Sequence, residues 1–126
     1  MTLEITIQTE ANVAKRIMLS GTLDTDTAPQ LQAEIDTGVS DQDKIVILDL
    51  ENLEFLSSAG VQVVFKLRKS VTANDGEFFL VNMQPQIEKV FEIIKALDKM
   101  DLGVFKNIEE MDAYLIQIQN RMKDQN

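Results

Sequence analysis

Leu48-Asp-Leu-Glu-Asn-Leu-Glu-Phe-Leu-Ser-Ser-Ala-Gly-Val-Gln-Val-Val-Phe-Lys-Leu-Arg-Lys69 decides how this chain is read. The apolar, β-branched run Ile45-Val-Ile-Leu48 leads into it, as expected of a strand covered on both faces near the centre of a sheet. A short loop follows, then a helix starting near Ser58 with Val61, Val64, Leu67 and Val71 on its inward stripe. Ser57 and Ser58 fall at the N-terminus of that helix, where the first N–H groups lack partners and carry partial positive charge. A serine there caps the helix, and a phosphorylated one would hold its dianion favourably. The two hydroxyls are therefore the first candidates for a switch.

Upstream, Leu3, Ile5 and Ile7 alternate with polar residues, and Ile17 and Leu19 repeat the pattern beyond the turn-like Glu10-Ala-Asn12. That period predicts a half-buried hairpin. Thr25, Asp26 and Thr27 then open a helix with Ala28, Leu31 and Ile35 inward and Pro29 in its first turn. Downstream, Asn74-Asp-Gly76 stops the serine-led helix ahead of a strand at Phe78-Phe-Leu-Val81. Pro85 opens a third helix with Ile87, Val90, Phe91, Ile94 and Leu97 on one face. A short strand around Leu102 to Phe105 and the capping-box-like Asn107-Ile-Glu-Glu110 lead to a final helix bearing Met111, Tyr114, Leu115, Ile118 and Met122. The expected architecture is α/β: a mixed sheet, antiparallel in its N-terminal hairpin and parallel through the β-α units, with helices packed on it. Residues 1–122 read as one domain and 123–126 as a polar tail that frays.

With 126 residues and 44% hydrophobic content, one ordinary core is within reach. No cysteine and no histidine occur, so thiol nucleophiles, disulfides, thiolate metal sites and imidazole bases are all excluded. Chemistry would have to rest on carboxylates, lysines and hydroxyls, which disfavours an enzyme, and no cofactor is implied. Asp49, Glu51 and Glu54 could imitate a carboxylate metal site, but a solvated loop is the better reading. The net charge of −9, from 21 acidic and 12 basic side chains, opposes direct nucleic-acid binding. Lys66, Arg68 and Lys69 form the one basic cluster and read as a solvated helix face. Neither a membrane span nor a secretion signal is recognisable, so a soluble cytoplasmic protein is expected.

Three ordered patterns resemble the STAS domain family, specifically its small stand-alone anti-sigma factor antagonists. They are Leu19-x-Gly21-x-Leu23-Asp24-x-x-Thr27-Ala28-x-x-Leu31, then Asp49-Leu-x-x-Leu53-x-Phe55-Leu-Ser-Ser-Ala-Gly-Val61, then Leu80-x-Asn82-x-x-Pro85-x-Ile87-x-x-Val90-Phe91 with Leu102, Val104-Phe105 and Asn107-x-Glu109-Glu110 behind it. The resemblance implies a partner-switching module. Its unmodified form binds an anti-sigma factor that is also a serine protein kinase, phosphorylation ends the binding, and a serine phosphatase restores it. The family motif at the second junction reads Asp-Ser-Ser-Gly with the serine before glycine modified. Without gaps that position is Ala59 here, so the resemblance puts the phosphoacceptor at Ser58, with Ser57 second. It also assigns Asp24, Ser57, Ser58, Ala59 and Gln62 to partner binding. A non-phosphorylated scaffold module that joins a larger signalling assembly without serine exchange is the alternative that Ala59 keeps open. Gly60 reads as the small residue that lets its helix approach the sheet, and the oligomeric state is expected to be a monomer or weak dimer.

Overall fold

A computed structural model describes residues 2–11, 13–99 and 108–124, without the side chains of residues 11, 95–99, 108–112 and 123–124. Its elements run β1 (Leu3–Ala11), β2 (Ala14–Leu23), α1 (Ala28–Gly38), β3 (Ile45–Leu56), α2 (Ser58–Ala73), β4 (Glu77–Val81), α3 (Pro85–Lys99) and α4 (Ile108–Asp124). The four strands lie in the order β1-β2-β3-β4. β1 pairs antiparallel with β2, while β2 with β3 and β3 with β4 are parallel. The mixed sheet expected from the alternation is thus present. The strand expected at Leu102 to Phe105, and Asn107 of the capping-box pattern, lie outside the described residues. α4 continues through Asp124, two residues into the segment read as a polar tail.

Residues that alternate along the strands sort into two unequal faces. Ile17, Leu48 and Leu80 are aligned across the sheet with Val46 and Phe78 beside them, and this face meets the helices. α1 adds Leu31 and Ile35, α2 adds Val61, Val64, Leu67 and Val71, α3 adds Ile87, Val90 and Ile94, and α4 adds Leu115. The opposite face carries Arg16, Met18, Ile45, Ile47 and Phe79, and Phe79 is 44% exposed. Coverage of Ile45-Val-Ile-Leu48 on both faces was the expectation, and it needs correction: Val46 and Leu48 are buried, but Ile45 and Ile47 are only half-buried. A continuous apolar run fixes that a strand is central, not that both its sides are roofed.

The second correction concerns the length of β3. A loop after Leu48 was expected, yet the strand runs through Leu56, with register shifts against β2 between Met18 and Ser20 and between Gly21 and Thr22. Each shift inserts an extra residue and bends the ladder without ending it. Gly21 sits at the bend with φ of 107°, and a Cβ there would stand 2.4 Å from the Thr2 carbonyl oxygen. Glycine alone meets both demands at this point. At the far end of α2 the left-handed residue is Asp75, with φ of 62°, while Gly76 donates its N–H to the Val71 carbonyl at 2.9 Å.

Candidate functional site

β2 and β3 end side by side, because the Ser57 N–H donates to the Leu23 carbonyl at 2.9 Å. Asp24 follows one strand and Ser57 the other, so both strand-to-helix junctions share one rim of the sheet. In the first junction the Asp24 carboxylate accepts from the N–H of Asp26 at 2.9 Å, the N–H of Thr27 at 3.0 Å and the Thr27 hydroxyl at 3.3 Å. That hydroxyl has one proton, which lies nearer the Thr22 carbonyl at 2.8 Å, and its oxygen accepts from the Asp24 N–H at 2.9 Å. Four bonds of 2.8 to 3.0 Å thus tie the turn that delivers the chain into α1. This is the behaviour of a turn-forming aspartate, whose acceptors meet the donors that a helix start leaves unpaired.

The second junction is built differently. Ser57 is the N-cap of α2 in extended conformation, and its hydroxyl accepts from the Gly60 N–H at 3.5 Å, the long limit of such a bond. Backbone carries more of the hold: the Val61 N–H donates to the Ser57 carbonyl at 3.0 Å. A Cβ on Gly60 would come within 2.6 Å of Leu23 Cγ and 2.8 Å of Leu56 Cδ1. The first turn of α2 therefore sits tight on the strand ends because residue 60 has no side chain.

Beyond Asp49, the last residue to pair with β4, β3 has no strand neighbour on that side among the described residues. Glutamine side chains take the place of a strand there. Gln84 Nε2 donates to the Glu51 carbonyl at 2.8 Å, and Gln86 Nε2 donates to the Glu54 carbonyl at 3.2 Å and to Gln84 Oε1 at 2.8 Å. Gln119 from α4 does more. Its Oε1 accepts from the Leu56 N–H and its Nε2 donates to the Leu56 carbonyl, both at 2.7 Å. A primary amide reproduces the donor and acceptor of a peptide group, so a side chain completes the ladder that backbone leaves open.

The acidic trio singled out in the sequence does not stand in a solvated loop. Asp49 lies within β3 and is buried, whereas Glu51 and Glu54 are exposed. Burial pushes the Asp49 carboxyl up, but the Glu51 N–H at 3.1 Å, the Arg16 guanidinium at 2.9 Å and the Asn82 amide at 3.3 Å outweigh it. The result is a carboxyl held below its ordinary range, opposite in direction to that of a general acid. Among the described residues no group of carboxylates is arranged to hold a metal ion.

Of the five residues assigned to partner binding, Gln62 is exposed and Asp24 and Ala59 are half-buried. Ser57 is 6% exposed and Ser58 only 3%. Periodicity puts both serines at the helix start without revealing that neighbouring elements cover them there. The glutamines along β3 carried no signal in the sequence, since their acceptors lie 32 to 63 residues away.

The model of the family described as STAS domain matches residues 4–111, from β1 to the first residues of α4. The chain belongs to the STAS domain family. Among STAS relatives, a protein named as an anti-sigma factor antagonist, BtrV of Bordetella bronchiseptica, is 37% identical over 75 residues. That match covers 60% of this chain and 65% of BtrV, just under two thirds of its length. The anti-sigma-B factor antagonist of Staphylococcus aureus is 25% identical over 93 residues, 74% of this chain and 86% of its own. Among solved structures, the anti-sigma factor antagonist SpoIIAA in its unphosphorylated form superimposes with a TM-score of 0.61 at 25% identity, covering 76% of this chain and 96% of that one. Bacillus SpoIIAA in its phosphorylated form gives 0.62 at 27% identity, over 72% and 83%.

Proposed function

We propose that this STAS domain is a regulatory binding module of the anti-sigma factor antagonist type, acting in the cytoplasm and docking an anti-sigma factor through the rim where α1 and α2 begin. The observation that carries the reading is the strand-end juxtaposition of Asp24 with the Ser57–Gln62 turn, in a fold shared with SpoIIAA. Gln62, Ala59 and Asp24 offer the accessible surface, and Ser57 and Ser58 shape it from beneath. In the fuller form of the reading the anti-sigma factor is also a serine kinase. It modifies Ser58, with Ser57 second, the added dianion expels the partner at a cost that falls on the interface, and a phosphatase reverses the change.

The scaffold reading, docking without serine exchange, gains support from one specific feature. Both hydroxyls are buried, and the half-exposed position of the turn is Ala59, which has no hydroxyl. Intact mass after incubation with the anti-sigma factor kinase and ATP separates the two. One added phosphate, lost in the Ser57→Ala/Ser58→Ala double variant, supports the switch; equal labelling of that variant overturns the site assignment. No added mass together with retained capture of the anti-sigma factor supports the scaffold. Loss of capture in Gln62→Arg with an unchanged fold is expected under both readings, and undiminished capture in Gln62→Arg and Asp24→Arg overturns the docking rim.

A further inference from the structure

We infer that Gln119 is a positioning residue that latches the β3–α2 junction, so that the Ser58 hydroxyl becomes reachable only when α4 leaves its seat. Leu56 is the last residue of β3, and it is wholly buried, one peptide from the N-cap of α2. On its β2 side the junction is fastened by the Ser57 N–H to the Leu23 carbonyl. On the other side no strand among the described residues reaches so far, and both polar groups of Leu56 are spent on one side chain, Gln119, itself 1% exposed. Buried backbone groups without partners are costly, so the turn that carries Ser57 and Ser58 cannot swing outward while Leu56 would have to give up these two bonds.

The latch is borne by the element best suited to release it. Gln119 Nε2 also donates to the Leu115 carbonyl at 3.1 Å, which ties the amide to its own helix, so Leu56 is gripped by α4 as a body. Beside the latch, Gly21, Thr22, Phe55, Ile116, Gln119 and Asn120 help line an open hollow of about 580 Å³, so one flank of α4 at this level faces space rather than packed side chains. α4 rests chiefly on α3 and only lightly on α2. Its departure would free Leu56 without dismantling the sheet, whose ladders through β1, β2, β3 and β4 do not involve it. Local opening of this kind, below the threshold of global unfolding, is how a buried group is exposed in a folded domain. The geometry stands by itself, while its regulatory meaning rests on Ser58 being the modified residue in the docking reading.

The chain contains no cysteine, so Ser58→Cys gives the protein a single thiol whose reaction with Ellman's reagent reports access to that site and needs no partner. In the folded protein this thiol is expected to react at least about 100-fold more slowly than in urea, and far more slowly than the thiol of Ala59→Cys. Adding Gln119→Leu should speed it by about tenfold or more. Ile35→Val, a core change in α1 away from the junction, should leave the rate near its starting value. Amide hydrogen exchange on the unsubstituted chain covers the case in which the Gln119 variant fails to fold: the Leu56 amide should exchange in step with those of α4 rather than those of α2. Equal reactivity at positions 58 and 59, no acceleration by Gln119→Leu in a folded protein, or Leu56 exchange that follows α2 would each overturn the latch. The docking rim would be untouched by those results, since capture of the anti-sigma factor tests it separately.

Discussion

Two strand-to-helix junctions stand side by side on one rim, and they are fastened in opposite ways. Between β2 and α1 the work is done by local side chains: those of Asp24 and Thr27 bond to each other's residues and to Asp26 and Thr22, all within residues 22 to 27 and much of it at the half-exposed surface. Between β3 and α2 the Ser57 hydroxyl contributes a bond at the long distance of 3.5 Å, while strong holds come from Leu23, Gly60 packing and Gln119, distant in sequence or devoid of a side chain. A junction closed by its own residues is self-contained. One closed by a remote helix can be opened from elsewhere, a property that suits the docking role proposed for this turn.

If that contrast is right, the largest stability loss belongs to the remote fastener. Gln119→Leu keeps the volume but strands two buried backbone groups, and should cost about 2–5 kcal/mol, read as a lower urea midpoint. Next comes Gly60→Ala, where the new methyl meets Leu23 and Leu56. The overpacking exceeds the helix-propensity gain, so a net loss of about 1–2 kcal/mol is expected in the same measurement. Asp24→Ala removes three donors' acceptor at a turn that water reaches, for about 1–2 kcal/mol. Ser57→Ala forfeits only a long cap bond and should cost about 0.5–1 kcal/mol. A larger effect from Ser57 than from Asp24 would reverse the comparison.

The smallest expected effect lies on the open face of the sheet. The Asp49 carboxyl has a lowered proton affinity in the folded state, so its contribution is fully present above the ordinary carboxylate value of the unfolded chain. It is lost as pH falls through the folded value. Urea midpoints followed from neutral to strongly acidic pH should therefore drop more steeply in the natural chain than in Asp49→Asn. Parallel acid limbs would show that the Glu51 N–H, Arg16 and Asn82 do not hold the carboxylate.

Local pattern was enough for the order of the described elements. Alternation at Leu3, Ile5 and Ile7, the run at Ile45 to Leu48, and the stripe of Val61, Val64, Leu67 and Val71 each describe a face that must be buried, and periodicity within one element is a property of the sequence itself. The site was legible as far as Asp24, Ser57 and Ala59 standing at strand ends and helix starts. Residues 49 to 56 were harder, since bulges and a polar composition disguise a strand whose outer edge is served by side chains. What the sequence determined alone was the order of the described strands and helices, short of the extension of β3 from Asp49 to Leu56, and that a hydroxyl pair opens α2. Only tertiary structure decided that those hydroxyls are covered and that an amide 63 residues away closes the turn. Burial and long-range hydrogen bonding depend on which elements meet, and spacing along the chain does not encode that meeting.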